Sequence, residues 1–308
     1  MTTAFEKMKS LRGKRSLEKL TKQIDKQQSK TSRKVDDRYW KLERDKAGNG
    51  TALIRFLPQS AADLAVNEDH TPWVQIFSHG FQGPTGQWYI EKSLTTLNQK
   101  DPVSDLNRTL WNSGQEDQAR KQKRKLRYTA NILVLKDPAN PENEGKVFLY
   151  EFGKKIFDKI KDTMFPESDA LREVEPVNPF DLWEGADFEL RVRQVDGYAN
   201  YDKSTFSKPS SLYGGDEGKI ETVYTSQHSL LELVAPDTFK SYDELNRRLQ
   251  TVLGTGAPVE TKVEAKKETV EEVVEESTDS EAEDLSSLDV DIDEGNIEDL
   301  MAELDGEI

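Results

Sequence analysis

Aromatic residues are confined to one part of this chain, and their confinement limits what can fold. The 308 residues include twelve Phe, nine Tyr and five Trp, of which only Phe5 lies outside residues 36–259. Because a packed core needs large apolar side chains, that middle part can bury a core and the two ends cannot. We therefore expect one folded body between two polar ends.

The charge of the chain divides along the same lines. Residues 1–35 contain eleven Lys or Arg against three Asp or Glu, a net charge of +8. Residues 260–308 contain three Lys against twenty Asp or Glu, a net charge of −17. We predict a basic N-terminal arm at 1–35, a folded core at 36–255 and a disordered acidic tail at 256–308. This layout favours a protein that binds a polyanion under control.

The absence of certain sequence features limits further the class of protein that the chain can be. The chain has no Cys, which excludes disulfides and thiolate metal ligands and fits a reducing cytoplasm. Its first residues lack the apolar run of a secretory signal, and no stretch of about 18 apolar residues could span a bilayer. We expect a soluble cytoplasmic protein with no membrane partner.

Several segments of the body have the composition of β-strands. They are rich in β-branched or aromatic residues, and they cover 51–57, 73–78, 87–90, 130–135, 147–152 and 187–195. Helices are predicted at 154–164 and from Ser241, whose capping box with Glu244 precedes an apolar stripe. The predicted fold class is mainly β with some α, built on an OB-fold-like small barrel with insertions.

The strongest basic cluster of the body lies at 120–127 and ends beside Tyr128. Lys and Arg bind phosphates without reading sequence, and aromatic rings add a preference for single strands because unpaired bases stack on them. The candidate stacking residues are Trp88, Tyr89, Trp111, Tyr128, Tyr150, Tyr198 and Tyr201. The alternative places the charges in a solvated loop and the rings in the core. Tyr198 and Tyr201 fit that alternative least, because they lie in a loop-like sequence.

The acidic tail keeps one apolar pattern near its end. Ile297, Leu300, Met301 and Leu304 follow Asn296 at helical spacing amid Asp and Glu. This pattern is typical of a segment that folds into a partner's groove. The alternative is a solvated tail that aids solubility.

The sequence contains no recognisable catalytic constellation. Gly153, Lys154 and Lys155 lack the spacing of a phosphate-binding loop. The three histidines show neither an i, i+4 pair nor a Cys partner, which argues against a zinc hydrolase. We expect a protein that is not an enzyme.

Longer stretches of the body point to a known family. They are 48–58, 79–81 with 86–91, 130–160, 183–204 and 239–245, and the longest reads ANILVLKDPANPENEGKVFLYEFGKKIFDKI. Together they resemble the single-stranded DNA-binding, helix-destabilising protein of T-even-type bacteriophages. The resemblance implies an OB-fold core with a DNA cleft, an arm for cooperative self-association and an acidic tail that docks replication proteins.

The resemblance and the basic cluster together give roles to individual residues. The predicted DNA-binding residues are Arg55, Trp88, Trp111, Lys123, Arg124, Lys125, Arg127, Tyr128, Tyr150, Tyr198 and Tyr201. Lys14, Arg15 and Ser16 resemble the basic–hydroxyl motif of the arm and are predicted to serve self-association. The predicted partner-docking residues are Ile297, Leu300, Met301 and Leu304.

One departure from the family pattern concerns a metal. The family holds a structural zinc with one His and three Cys, whereas this chain keeps His79 and has Ser93, Asp101 and Ser104 near the cysteine positions. Serine hydroxyls are poor zinc ligands at neutral pH. We predict no cofactor and no structural zinc. Apolar packing is expected to hold this region instead, with Leu94, Leu97, Leu106 and Leu110 as the candidates.

The expected function is cooperative, largely sequence-independent binding of single-stranded DNA during phage replication, recombination and repair. Its expected location is the cytoplasm of the infected bacterial host. The expected partners are single-stranded DNA, further copies of the chain, and phage replication and recombination proteins docked by the tail, which also restrains the DNA cleft. The sequence does not exclude RNA as a ligand, so one alternative is an RNA-binding regulator. Another is an adaptor whose body is a scaffold for the acidic tail.

Overall fold

The structure, a computed structural model, describes residues 36–166, 175–195 and 197–255. The chain divides into two compact units, residues 1–39 and 40–308, and the elements below belong to the second. The predicted arm at 1–35 and tail at 256–308 therefore lie outside the described residues, and the three-segment division stays a prediction.

An antiparallel sheet of eight strands dominates the described part of the chain. The strands are β1 (Gly50–Phe56), β2 (Trp73–Gln82), β3 (Trp88–Lys92), β4 (Lys125–Lys136), β5 (Val147–Phe152), β6 (Phe188–Val195), β7 (Tyr198–Asn200) and β8 (Thr205–Phe206). They follow the open order β3-β2-β4-β1-β6-β7, with β5 added on β4 and β8 on β6. Every pairing is antiparallel, so the prediction of a mainly β fold with some α is confirmed.

Six α-helices accompany these strands in the described ranges, and the last two follow β8. They are α1 (Ala61–Val66), α2 (Pro102–Asn112), α3 (Glu116–Lys121), α4 (Lys154–Met164), α5 (Glu217–Thr225) and α6 (Tyr242–Leu253). The predicted helix at 154–164 is confirmed, as is the capping box in which Ser241 and Glu244 satisfy each other's backbone N–H. None of these helices combines the length and the apolar character that crossing a bilayer requires.

Strand β4 is the centre of the sheet because it pairs on both edges. Its first half pairs with β2, its last residues pair with β1, and β5 runs along its other edge. Alternate residues Tyr128, Ala130, Ile132 and Val134 enter the largest buried cluster. The strand begins at Lys125, five residues before the predicted start at 130, because pairing with β2 extends it through basic sequence.

Three buried clusters hold the fold together. The largest is rich in aromatic rings, including Phe56, Phe152, Phe180 and Phe188. A second cluster joins β3, α2 and α6 and comprises Phe81, Tyr89, Leu94, Val103, Leu245, Leu249 and Val252. A third comprises Leu57, Leu133, Leu182, Leu212, Ile220 and Val223. Of the four leucines expected to pack near His79, Leu94 and Leu106 belong with the second cluster, Leu110 is buried and Leu97 is half-buried.

Candidate nucleic-acid interface

The predicted basic segment lies where α3 leads into β4. Lys123 and Arg124 are exposed, and Lys125, the first residue of β4, is half-buried. The guanidinium carbon of Arg124 lies 4.3 Å from the centroid of the Phe77 ring. Phe77 is half-buried in β2 and is the register partner of Leu126. Sheet pairing thus places part of the basic segment directly on an aromatic ring.

Arg127 belongs to the same basic cluster but has a carboxylate nearby. Its Nε lies 3.7 Å from Oε1 of Glu151 on the adjacent strand β5. The guanidinium is half-buried, whereas the carboxylate is exposed. Because an exposed partner competes weakly for a cation, Arg127 can still attract a phosphate.

Tyr128 and Tyr150 are predicted to contact DNA, but both are buried in the structure. Their residues are 6% and 7% exposed. The Tyr128 ring stacks on Phe157 of α4 with a centroid distance of 4.0 Å and an interplanar angle of 6°. Tyr150 meets Trp40 edge-on at 5.4 Å. Both rings belong to the largest buried cluster, as the alternative of core residues expects. Their contact with bases stays a prediction.

Tyr198 and Tyr201 belong to the hairpin that joins β6 to β7. Gly197 supplies the turn with a φ of +85°, a conformation that a side chain disfavours. Tyr198 opens β7 and is 54% exposed, and the hydroxyl of the half-buried Tyr201 accepts a hydrogen bond from Arg44 at 3.5 Å. The hairpin thus presents an open ring face to solvent, as the loop-like sequence predicted.

The two predicted tryptophans lie at element ends. Trp88 begins β3 and is half-buried, and its carbonyl oxygen accepts a hydrogen bond from Arg248 at 3.3 Å. Trp111 lies in the last turn of α2, where the Arg120 guanidinium is 5.2 Å from its ring. Trp111 is therefore a second aromatic ring covered by an arginine of the basic cluster.

Arg55 is fully buried, in contrast to its predicted role at a cleft surface. Its guanidinium pairs with Asp187 at 2.9 Å and donates to the carbonyl oxygens of Asp181 at 3.1 Å and Ser210 at 2.7 Å. Burial lowers the pKa of Arg55, and the charge of Asp187 opposes that shift. In this arrangement Arg55 ties β1 to two loops, and its predicted contact with DNA would need the side chain to leave these partners.

Similarity to known proteins shows the family to which the chain belongs. A family model described as "gp32 DNA binding protein like" matches residues 48–253. The chain is 42% identical over 223 residues to the single-stranded DNA-binding protein of Enterobacteria phage T2, covering 71% of this chain and 70% of that protein. It is also 42% identical over 221 residues to the protein of the same name from Enterobacteria phage T4, covering 70% of each. The chain belongs to the gp32-like family.

In this gp32-like chain the residues near the expected metal position bind one another. His79 is buried, with Nδ1 3.0 Å from the carbonyl oxygen of Gln122 and Nε2 3.2 Å from Oδ1 of Asp101. The Nε2 contact does not have the geometry of a hydrogen bond. Both ring nitrogens of His79 therefore already face oxygen atoms.

Asp101 is equally committed to the fold. Its Oδ1 accepts from the backbone N–H groups of Val103 and Ser104 and caps α2, while Oδ2 accepts from Leu94. Burial alone would raise the pKa of Asp101, but His79 and these backbone donors outweigh it and lower the pKa to about 2. Ser93 caps the turn at Leu94–Leu97. This donor set, with hydroxyls in place of thiolates and its strongest ligands engaged, does not fit a zinc site.

Phe77 is a candidate functional residue that does not stand out in the sequence alone. The alternation of Trp73, Gln75 and Phe77 on one face of β2 could have indicated it, but the contact with Arg124 depends on the pairing of β2 with β4. The predicted self-association residues Lys14, Arg15 and Ser16 lie outside the described residues. So do the predicted docking residues Ile297, Leu300, Met301 and Leu304.

Proposed function

We propose that this protein binds single-stranded DNA and reads little of its sequence. The observation that carries the proposal is the match of residues 48–253, which include the whole described sheet, to a family whose phage relatives are named single-stranded DNA-binding proteins. That family is one of binding proteins and not of enzymes. Like its relatives, the chain acts in a phage-infected bacterial cell.

The chemistry of the described residues supports this function. Lys123, Arg124 and Lys125 supply cations at the start of β4, where phosphates release counterions on binding. Tyr198 offers an exposed ring for base stacking, which duplex DNA cannot use because its bases are already stacked. The protein therefore prefers single strands and destabilises weak duplexes.

The finer fold assignment is an OB-fold barrel. Its support is the pairing of β4 on both edges, with β1, β2 and β5, beside an aromatic core to which alternate residues of β4 belong. The arm, through Lys14, Arg15 and Ser16, makes binding cooperative by docking on a neighbouring copy.

The acidic tail has two roles in this proposal. Its net charge of −17 over 260–308 competes with DNA for the cations of the core, and its apolar stripe at Ile297–Leu304 docks replication and recombination proteins once DNA displaces it. Removing residues 256–308 is expected to tighten DNA binding most at low salt, where charge competition is strongest. Unchanged affinity and salt dependence after this deletion would contradict the competition.

The region around His79 keeps its structure without zinc in this proposal. The second buried cluster and the capping of α2 by Asp101 supply the local stability. Elemental analysis of the purified protein is expected to find well under one zinc per chain, and a chelator is expected to leave the melting temperature unchanged. One zinc per chain together with a chelator-induced drop in melting temperature would overturn this part.

Competition binding tests the function as a whole. The full-length protein is titrated with a fluorescein-labelled dT oligonucleotide, and unlabelled poly(dT), poly(rU) and duplex DNA are added as competitors. The proposal predicts that poly(dT) competes best and duplex DNA worst. Stronger competition by poly(rU) would make the protein an RNA-binding regulator. Absence of binding even at low salt would overturn nucleic-acid binding and favour the adaptor function.

A further inference from the structure

Phe77 is held rigidly at a junction of the sheet. Its N–H donates to Oγ1 of Thr96 at 2.9 Å, and its carbonyl oxygen accepts from the N–H of Ser93 at 2.8 Å. Strand β2 pairs with β4 up to Ser78 and with β3 from Ser78 onward, so Phe77 lies where one partner strand replaces the other. The ring is half-buried on a fixed backbone, which is the arrangement that a preorganised stacking surface needs.

The neighbouring rings on this sheet face are covered differently. Trp73 lies four residues earlier on β2 and contacts Phe157 at 5.4 Å, and Phe157 also stacks on Tyr128. An apolar helix residue thus seals those two rings into the core. Phe77 has instead the exposed side chain of Arg124 over its ring. Its cover is therefore a solvated cation rather than a packed apolar group.

Arg124 is suited to leave the ring when a polyanion arrives. Within the part of the chain that the structure describes, no carboxylate forms an ion pair with it. An exposed guanidinium gains little from its contact with a ring, whereas a phosphate offers it charge-assisted hydrogen bonds. When Arg124 moves to a phosphate, one face of the Phe77 ring becomes accessible beside that phosphate.

We infer that Phe77 is a base-stacking subsite that Arg124 covers in the free protein. On binding of single-stranded DNA, Arg124 turns from the Phe77 ring to a phosphate, and a base takes its place on the ring. This inference rests on the proposed function and adds to it a stacking residue and a gating cation.

The chain offers a matched control for this arrangement. Lys92 lies 4.9 Å from the Phe239 ring, but its ammonium donates to the carbonyl oxygen of Leu233 at 2.8 Å. Phe239 is thus also a half-buried ring under a cation, and that cation is anchored to the backbone. Phe239→Leu should leave DNA affinity unchanged, whereas Phe77→Leu should not.

The test compares two oligonucleotides of equal charge, a dT oligomer and an abasic oligomer of the same length, in binding to full-length variants. Phe77→Leu is expected to weaken dT binding about fivefold or more, because a stacked base is lost. It should change abasic binding less than twofold. Arg124→Ala is expected to reduce the salt dependence of binding to both oligomers, with a slope smaller by about 0.7.

Equal effects of Phe77→Leu on both oligomers, or no effect on either, would overturn the subsite and leave the Arg124–Phe77 contact a structural one. If Phe77→Leu fails to fold, Phe77→Trp replaces it: this variant keeps a stacking face and should bind dT at least as tightly as wild type, with additional emission that dT quenches. Unquenched additional emission would also overturn the subsite. Failure of the wild-type protein to bind dT would instead overturn the proposed function.

Discussion

At the scale of single residues, the charged side chains that the fold buries are the ones with the most defined roles. Arg55 and Asp101 are both almost inaccessible, and each satisfies three separate groups of the chain. Removing one partner of such an arrangement leaves buried charges and carbonyls without compensation, which costs far more than breaking an exposed ion pair. Their substitution should therefore change stability before it changes binding.

Replacing Arg55 by Met tests its structural role. The variant is expected to lose about 3 kcal/mol of unfolding free energy, because Asp187 and two carbonyl oxygens lose their donor. Urea unfolding measures the loss, with Arg191→Met as control, since that arginine forms an exposed pair with Glu189 and should cost less than about 1 kcal/mol. Folded Arg55→Met should bind dT within twofold of wild type. A large loss of affinity at unchanged stability would show that Arg55 contacts DNA.

The depressed pKa of Asp101 predicts a pH dependence of stability. Its pKa is about 2 in the folded protein against an ordinary value of 3.8. The stabilisation by its carboxylate is therefore complete above about pH 4 and is lost as pH falls towards about 2. Asp101→Asn should unfold more easily than wild type at pH 7, by about 2 kcal/mol, and this difference should shrink below about pH 4.

Urea unfolding between neutral and acid pH checks this prediction. Asp117→Asn is the control, because Asp117 is exposed in the first turn of α3 and the substitution should shift stability little at any pH. A difference between wild type and Asp101→Asn that stays constant down to acid pH would show that the carboxylate does not contribute its charge to stability.

At the scale of elements, sequence patterns identified the parts whose determinants are local. Helices α4 and α6 carry apolar stripes, and α6 has a complete capping box, so both could be predicted. Helix α2 could not be predicted in the same way, because only Pro102, Val103 and Leu110 are buried in it and its cap, Asp101, resembles a loop residue. The early start of β4 depends on partner strands that a local window does not contain.

The candidate interface likewise has features that the sequence could predict and features that it could not. The exposure of Tyr198 could be predicted because a glycine-bounded loop sequence is a local signal. The burial of Tyr128 under Phe157 and the placing of Arg124 on Phe77 could not, because each contact joins elements that are distant in sequence. The register of the strands and the docking of the helices decide which aromatic rings stay accessible to a base. Amino-acid composition contains no information on either.

The β6–β7 hairpin carries an exposed ring whose contribution to DNA binding can be measured by itself. Tyr198→Leu is expected to weaken dT binding about fivefold, because an exposed stacking face is removed. The melting temperature should stay unchanged, since the ring is mostly outside the core. Tyr242→Leu is the control, because Tyr242 is a similarly exposed tyrosine at the start of α6. Unchanged dT affinity of Tyr198→Leu would remove the hairpin from the interface.

At the scale of the whole molecule, net charge is a poor guide to the ligand. The chain carries −15 overall, yet residues 260–308 alone carry −17, and the basic arm carries +8. A polyanion responds to the local potential of the surface it meets, not to the sum over the chain. The cations at the start of β4 can therefore bind phosphates in a protein that is acidic as a whole.

The salt dependence of binding to poly(dT), followed through the intrinsic Trp and Tyr emission of the full-length protein, shows whether cations of the core hold single-stranded DNA. We expect strong quenching and a steep fall of affinity with salt. Replacing Lys123, Arg124 and Lys125 by Ala should make the slope of log affinity against log salt shallower by about 2, at about 0.7 per lost phosphate contact.

The control removes the same charge from three exposed lysines elsewhere, Lys136, Lys146 and Lys208. That variant should keep a slope close to the wild-type value. Equal slopes for the wild type and the variant at 123–125, or flat emission at low salt, would contradict the claim that this protein holds single-stranded DNA on the cations at 123–125, where β4 begins.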